Sequence, residues 1–418
     1  MANPHLSDSG NFSEKTVPRP SMQRSDLGPV ARGVCHVDLA DASLVNELAP
    51  GPWMVVLWSD GLPVGQGFLE VRTDHPIDAA QFADSRVDQV AVESVRRLAT
   101  AGPPRDASRP RATVVICTRD RPAELANCLQ SLKHQSLRPE RIIVVDNASR
   151  DGQTRIAAEA AGVDYVLEPR PGLDIARNTG ARRAAGDIVA YTDDDVLLHP
   201  RWLERLVASF DRPDVMAVAG LVLPAELATD AQWQFERFWS FARGYRRIDY
   251  GTEFFSGDRT RGCPAWEIGA GASMAIRREC FALVGYFDER LDVGAAGCSG
   301  DSEYWHRILS RGHTCRYEPT SVAFHVHRRD LDGFERQIFA YMRGHAAALL
   351  VQFERTGNLG NLRRILLTLP SWYLGRGVKW LLRSGTERDR TLPTEITGFL
   401  SGIWYYLKTP RSRAGRQL

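Results

Sequence analysis

The strongest constraint on the fold lies in the middle of the chain, where apolar runs alternate with segments of helical spacing. Three such runs are ATVVICT (112–118), RIIVVDN (141–147) and DIVAYTD (187–193). Nearly continuous apolar runs are typical of strands buried on both faces, and parallel strands are joined by helical crossovers. The alternation therefore predicts an α/β fold with a doubly wound, mostly parallel sheet flanked by helices. Its ligand site is expected at the carboxyl ends of the strands.

The composition excludes several classes of protein. Of 418 residues, 43% are apolar and 25% are charged, which is ordinary for a globular chain and excludes a collagen, a coiled rod or a largely disordered protein. Lys and Arg number 53 against 51 Asp and Glu, a formal charge of +2. Because nucleic-acid binding depends on a cationic excess that neutralises phosphates, no nucleic-acid partner is expected.

Changes in composition along the chain predict its domains. Short apolar runs separated by Gly, Pro and Asp precede the α/β region and indicate a small β-rich accessory domain. A Pro- and Arg-rich stretch then resembles a linker. The expected divisions are a disordered lead (1–30), the accessory domain (31–100), the linker (101–110), the catalytic domain (111–335), a helical basic segment (336–410) and a disordered tail (411–418).

Cysteine usage and the first residues predict a cytoplasmic location. The seven cysteines are scattered, odd in number and without a CxxC pair, as expected for reduced thiols. The first 28 residues lack the apolar core of a signal peptide, and no run of about 18 uncharged apolar residues predicts a spanning helix.

Three adjacent carboxylates, Asp193, Asp194 and Asp195, stand at the end of the third apolar run. Neighbouring carboxylates repel one another unless solvent or a cation neutralises them. A solvated acidic turn is the alternative for an isolated triplet, but the position at a strand's carboxyl end favours a metal site. Carboxylate oxygens suit Mg²⁺ or Mn²⁺, which would bridge the phosphates of a nucleotide substrate.

Together, CTRDRP (117–122), VVDNAS (144–149), GLDIARNTG (172–180), the acidic triplet and CSGDSEYWHRIL (298–309) resemble a family 2 glycosyltransferase of the GT-A fold, in the family's order. The resemblance covers about 112–329. It implies a mixed, mostly parallel sheet, a nucleotide-diphosphate sugar donor and inverting transfer to a hydroxyl acceptor. It also implies that Asp193 and Asp195 hold the metal, although which two of the three carboxylates bind it is left open.

The same resemblance implies the donor-binding residues. The turn after the first strand and the carboxylate after the second are expected beside the base and ribose, and the A-R-N segment is expected near the nucleotide. Solvated turns and helix caps are the alternatives for these positions. The predicted donor-binding residues are Thr118, Arg119, Asp120, Asp146, Arg177, Asn178 and Asp194.

On the acceptor side, the resemblance implies Gly269, Gly271 and Ser273. It further implies that Asp301 is the general base that accepts the proton of the acceptor hydroxyl. The family's E-D pair is incomplete here, because Gly300 stands where the glutamate is expected. Glu303 is the rival base.

A histidine pair follows in SVAFHVHRRD (321–330), where residues two apart along a strand face the same side. This is where the family often has a third metal ligand. His327 is predicted to bind the metal, with His325 supporting it, and a purely structural pair is the alternative.

The C-terminal segment has a distinct charge and apolar pattern. From residue 355 onward, 12 Lys and Arg face 3 Asp and Glu, a net +9 that leaves the rest of the chain at −7. Two short apolar stretches, ILLTLPSWYLG (365–375) and ITGFLSGIWYYL (396–407), carry interfacial aromatics and suit helices lying on an anionic membrane. The alternative is a helical cap whose aromatics are buried.

These observations predict a single-sugar, metal-assisted glycosyltransferase of cell-surface polysaccharide or glycolipid synthesis. Its acceptor would be a hydroxyl group, and a lipid-linked acceptor is one form of this prediction. Its location would be cytoplasmic, and peripheral attachment at the inner face of the plasma membrane is one form of that prediction. A sugar nucleotidyltransferase is an alternative, but CTRDRP lacks the glycines of a phosphate loop. A catalytically silent scaffold that binds a sugar nucleotide is the second alternative.

Overall fold

The computed structural model describes residues 32–72, 78–100, 110–257, 261–382 and 385–409. The predicted lead and tail, and all of the linker except its last residue, lie outside these ranges. The chain forms two compact units, one from the first 106 residues with 225–228 and 244–246, and one from the remainder.

The first unit contains a three-stranded sheet, as the sequence predicted. Strand β2 lies in the middle, parallel to β1 and antiparallel to β3. Two helices, α1 and α2, bury alanines and valines against this sheet. The bounds are β1 Gly33–Asp38, β2 Gly51–Ser59, β3 Leu62–Val71, α1 Ala79–Arg86 and α2 Gln89–Thr100.

The second unit is built on a nine-stranded mixed sheet. Its strands are β4 Ala112–Thr118, β5 Arg141–Asn147, β6 Asp164–Glu168, β7 Ile188–Asp193, β8 Val196–Leu198, β9 Val215–Pro224, β10 Ile248–Tyr250, β11 Ser273–Arg277 and β12 Thr314–His325. The order is β10-β12-β9-β11-β7-β4-β5-β6, with β8 paired to β12. All but β8, β10 and β11 run in one direction, which confirms the mostly parallel sheet.

Helices cover the sheet and the region beyond β12. They are α3 Pro122–Leu132, α4 Gln153–Ala161, α5 Leu173–Arg183, α6 Trp202–Ala208, α7 Asp230–Trp239, α8 Thr252–Gly257, α9 Cys280–Val284, α10 Gly300–Ser310, α11 Leu331–Thr356, α12 Leu359–Arg363, α13 Leu369–Leu381 and α14 Leu392–Lys408.

The apolar runs form the centre of the sheet. Every residue of β4 is buried, so this strand has the two covered faces that its sequence predicted. Helix α5 packs closely on β4, because a Cβ at Gly180 would overlap the side chain of Val115. Because β4 pairs in parallel with both β5 and β7, the carboxyl ends of these three strands meet along one edge of the sheet.

The C-terminal helices pack with one face against the rest of the second unit. Helix α14 lies tightly on α11, since Cβ atoms at Gly398 and Gly402 would overlap the α11 backbone. Tyr373 is buried, whereas Trp372 and Trp404 are 40% and 60% exposed. None of the described helices is both long enough and apolar enough to cross a membrane.

Candidate active site

A cavity of about 1100 Å³ opens along the edge of the sheet where β4, β5 and β7 end. Residues from the turns after these strands line it, together with residues from the start of α10 and from the C-terminal helices. The predicted site residues that line it are Thr118, Arg119, Arg177, Asp193, Asp194, Asp195, Gly269, Gly271 and Asp301. The structure therefore brings most of the predicted site into one cavity.

The acidic triplet divides into residues with different partners. Asp194 accepts a hydrogen bond from the Thr118 hydroxyl at 2.7 Å. The guanidinium of Arg121 donates to Asp194 at 3.0 Å and to Asp195 at 2.9 Å. Burial raises the pKa of Asp193 to about 7 and that of Asp194 to about 6, and the neighbouring carboxylates add to both shifts. A bound cation would relieve this repulsion.

The structure places His325, rather than the predicted His327, beside these carboxylates. His325 Nε2 lies 3.4 Å from Asp195 Oδ1, and Asp193, Asp195 and His325 each offer a ligand atom within 4.8 Å of the others. His327 instead meets the buried Glu236, with 3.2 Å between Nε2 and Oε2, and its Nδ1 is 2.9 Å from Nδ1 of His325. The prediction is corrected, because both ring nitrogens of His327 already have partners.

This donor set fits Mn²⁺ or Mg²⁺. Two carboxylate oxygens and an imidazole nitrogen are suitable ligands for small divalent cations. Burial lowers the pKa of His325 to about 4, so the ring is neutral near pH 7, which is the form that binds metal. Burial alone would raise the pKa of Asp195, but His325, Arg121 and Arg328 outweigh it and lower that pKa.

Arg177 joins the floor of the cavity through buried ion pairs. Its Nη1 donates to Asp174 at 3.0 Å and to Asp292 at 2.6 Å. The guanidinium also interacts electrostatically with Asp193 and Asp301. Arg177 is thus the cation that interacts both with Asp193 of the acidic triplet and with Asp301.

Asp301 lies at the cavity wall at the start of α10. It accepts hydrogen bonds from the backbone N–H of Gly271 at 2.7 Å and of Ser302 at 2.6 Å. Burial and the neighbouring Asp292 raise the pKa of Asp301, against the lowering by Arg177. A carboxylate with a raised pKa is a stronger base, which suits general-base chemistry.

Two other acceptor-side candidates, Glu303 and Ser273, lie outside the cavity lining, and their predicted contact with the acceptor stays a prediction. Glu303 is fully buried, pairs with Arg307 and Arg355, and does not line the cavity. Ser273 is fully buried in β11, where its hydroxyl accepts from Trp202 Nε1 at 2.9 Å. Both positions look polar and accessible in the sequence, but the core around them satisfies their polar atoms.

Asn178 is also corrected. Its amide donates to the Phe287 carbonyl at 3.0 Å and accepts from the Phe287 N–H at 2.9 Å. The side chain therefore holds a loop and does not line the cavity. Asn178 was predicted to bind the donor because it belongs to the A-R-N segment of the family motif.

Asp120 and Asp146 flank the cavity without lining it. Asp120 accepts from the backbone and side chain of Arg150 at 2.7 and 3.0 Å. Asp146 accepts from the Ser149 N–H at 3.0 Å and the Tyr165 hydroxyl at 2.8 Å. Both carboxylates shape the turns beside the site, and their predicted contact with the nucleotide stays a prediction.

The missing glutamate at position 300 has a structural counterpart. A Cβ at Gly300 would overlap the carboxylate of Asp174, whose Oδ2 is buried and has no hydrogen-bond partner among the described residues. Asp174 on α5 thus brings a carboxylate to the place that a side chain at 300 would occupy. The acidic group at this place therefore comes from α5 and not from position 300.

The fold of the chain resembles that of a solved enzyme. A mannosyltransferase structure from Pyrobaculum calidifontis, determined with GDP-Man and Mn²⁺, superposes with a TM-score of 0.50 at 21% identity, covering 75% of this chain and 93% of that one. This similarity confirms the GT-A fold, the fold of many nucleotide-sugar-dependent glycosyltransferases. At this identity, the likeness shows the fold alone.

The family follows from sequence. The model of Glycosyl transferase family 2 matches residues 113–279. A pre-mycofactocin glycosyltransferase of Mycobacterium tuberculosis is 30% identical over 342 residues, 76% of this chain and 68% of that protein. A glucosyl-dolichyl phosphate glucuronosyltransferase of Haloferax volcanii is 28% identical over 136 residues, 31% of this chain and less than half (44%) of its own length. The chain belongs to glycosyltransferase family 2.

Substitutions at positions 300 and 174 test whether a side chain at 300 would overlap the Asp174 carboxylate. Gly300→Glu forces a side chain into the Asp174 carboxylate and is expected to lower the free energy of unfolding by about 1–3 kcal/mol. Adding Asp174→Ser removes the obstruction and should recover part of that loss, measured by urea denaturation. Gly375→Glu, at an open position on α13, is the control. Strict additivity of the two changes would contradict the direct contact.

Proposed function

We propose that this glycosyltransferase moves one sugar from a nucleotide-diphosphate donor to a hydroxyl acceptor with inversion, assisted by a divalent cation. The observation that carries the proposal is the shared cavity: the Asp193–Asp195–His325 cluster and Asp301 line it together, with Arg177 interacting with both. Polysaccharide or glycolipid synthesis is the proposed setting. An O-antigen biosynthesis protein of Myxococcus xanthus is 27% identical over 221 residues, which supports it.

Asp301 is the proposed base. It takes the proton from the acceptor's hydroxyl group as the hydroxyl oxygen bonds to the anomeric carbon of the donor sugar. At the same time the bond between the anomeric carbon and the phosphate oxygen breaks, and its electron pair leaves with the nucleoside diphosphate. One displacement inverts the anomeric centre, so no second nucleophile is needed. The N–H groups of Gly271 and Ser302 hold the carboxylate in place, and this fixed geometry lowers the entropic cost of the reaction.

Negative charge develops on the departing diphosphate. Asp193, Asp195 and His325 would hold the cation, which when bound supplies positive charge next to that leaving group. Arg121 and Arg328 line the same part of the cavity and add fixed positive charge there. Preorganised charge of this kind is usually the largest catalytic contribution.

The metal site predicts an order of effects. Mn²⁺ affinity, measured by calorimetry, should be lost in Asp195→Ala and His325→Gln, and should fall by about 10–100-fold in His327→Gln, which only orients His325. Affinity should rise from pH 6 to pH 8, because protons compete for Asp193, whose pKa is about 7. A separate assay identifies the donor: among UDP, GDP and TDP sugars, the donor is the one that releases its nucleoside diphosphate with Mn²⁺ and not with EDTA. A larger effect for His327→Gln than for His325→Gln would refute the assignment.

The base assignment predicts a kinetic signature. Asp301→Asn should lower kcat for transfer by about 10²–10⁴-fold, since the amide cannot accept the proton, with little change in the donor KM. The exposed Asp332→Asn on α11 is the control. NMR of the product should show an anomeric configuration opposite to that of the donor. Retention of configuration, or an active Asp301→Asn enzyme, would rule out this mechanism.

We further propose that the enzyme acts at the cytoplasmic face of a membrane, on a lipid-linked acceptor. Within the described ranges, 19 large apolar residues are exposed, and 12 of them lie between 359 and 407. Helix α13 is apolar on both sides: Leu369 and Tyr373 are buried, whereas Leu374, Val378 and Leu381 are exposed. A water-facing helix normally has a polar outer face, so this one suits an apolar environment.

Charge complementarity indicates that the environment is an anionic bilayer. The segment from 355 onward carries a net +9. At the end of α14, Lys408 Nζ lies 4.4 Å from the ring centroid of the exposed Trp404, an aromatic and cationic pair suited to the headgroup region. The buried faces of α13 and α14 act as the cap and their outer faces as the membrane surface, so the two alternatives from the sequence are compatible.

Vesicle flotation tests this surface. Wild-type protein should float with vesicles of phosphatidylcholine and phosphatidylglycerol, and less with phosphatidylcholine alone. Leu374→Ser with Leu407→Ser should weaken binding at least about tenfold, because each leucine loses its apolar transfer energy. The control is Ile156→Ser with Leu167→Ser, two similarly exposed residues elsewhere. Equal flotation of both variants, or a change from dimer to monomer in the tail variant, would contradict a membrane surface.

A further inference from the structure

An arginine lies between two tryptophans on the cavity wall formed by the C-terminal segment. The guanidinium carbon of Arg388, in the 3₁₀ turn Glu387–Thr391, is 5.3 Å from the ring centroid of Trp239 and 5.6 Å from that of Trp372. All three residues line the cavity that contains Asp301. We call them the Arg388 site.

Arg388 has no counterion within the described part of the chain. Its side chain makes no ion pair or hydrogen bond there, and its Nε is buried without a partner. A buried N–H left without an acceptor is costly, so this donor is available to a ligand whose oxygen atoms can accept from it.

The nearby carboxylates are already paired with other arginines. Arg376 donates to Asp389 at 2.7 Å and to Glu395 at 2.8 Å, and Arg237 meets Glu387 at 3.2 Å. Glu387, Asp389 and Glu395 are the only acidic residues after position 355 in the sequence. The segment therefore neutralises Arg376 and leaves the charge of Arg388 uncompensated.

The stacked geometry favours an anion with several oxygens. A guanidinium that lies over aromatic rings is held by cation–π attraction while the N–H groups at its edge can still donate. Arginine donates two parallel hydrogen bonds to phosphate, and such charge-assisted bonds are strong. A second stack, Arg364 over Trp266 at 4.2 Å, lines the same cavity and adds to its positive charge.

We propose that the Arg388 site binds a phosphate group of the acceptor, an inference that rests on the proposed function of this cavity. Trp372 is 40% exposed, which places the site at the cavity mouth, next to the outer face of α13. The donor phosphates belong instead with the Asp193–Asp195–His325 cluster and Arg121. Two sources share this chemistry: a lipid phosphate and a soluble sugar phosphate.

Direct binding to the full chain tests the proposal. The probes are octyl phosphate, octanol and glucose 1-phosphate, titrated with tryptophan fluorescence as readout, since Trp239 and Trp372 contact the arginine. Octyl phosphate should bind at least tenfold more tightly than octanol, and Arg388→Gln should lose that tenfold. Arg388→Lys should retain part of it. Arg390→Gln, an exposed arginine in the same turn, should bind like wild type and is the control for charge alone.

The outcomes separate the possibilities. Tight binding of octyl phosphate alone indicates a lipid source, and equal binding of glucose 1-phosphate indicates a soluble one; both support the phosphate site. Equal binding of octanol and octyl phosphate, or an Arg388→Gln variant that binds like wild type, would overturn it. So would loss of donor affinity in Arg388→Gln, because the arginine would then belong to the donor site. Failure of metal-dependent donor release would count against the proposed function and leave these titrations unaffected.

Discussion

The buried guanidinium of Arg177 is the interaction on which the site depends. It neutralises Asp174 and Asp292 directly and stabilises the ionised forms of Asp193 and Asp301 electrostatically. Without it, burial and mutual repulsion would further favour the protonated forms of Asp174, Asp193 and Asp301, whose pKa values are already raised. Because the metal cluster and the base both need ionised carboxylates, one cation from α5 makes both halves of the proposed chemistry compatible at neutral pH.

The sheet brings these groups together by topology. Strands β4, β5 and β7 are parallel neighbours, so their ends at Thr118, Asn147 and Asp193 reach one edge although these residues are 29 to 75 positions apart in sequence. Antiparallel β11 then lies beside β7, and the chain just before it supplies the Gly271 N–H that holds Asp301. A Cβ at Gly271 would approach both Arg177 and Asp301 closely, so glycine permits the contact between the two halves.

Sequence reasoning predicted the features that depend on local pattern. Runs such as ATVVICT predict buried strands because apolar periodicity is local, and the acidic triplet stands out because adjacent like charges are unusual. Errors arose where side-chain partners come from far along the chain. Nothing near His327 in sequence indicates that Glu236, 91 residues earlier, contacts its ring, or that Arg355 reaches Glu303. Asp174 was missed for the same reason, since its relation to Gly300 exists only after folding.

Helix α7 connects the two ends of the cavity. Glu236 contacts His327 and so supports the metal-side histidine, while Trp239, one turn later, stacks on Arg388. A substitution that displaces α7 would therefore disturb both places at once, because the same helix carries Glu236 and Trp239. One short helix is thus a common support for the metal-side histidine pair and for the arginine on the opposite part of the cavity lining.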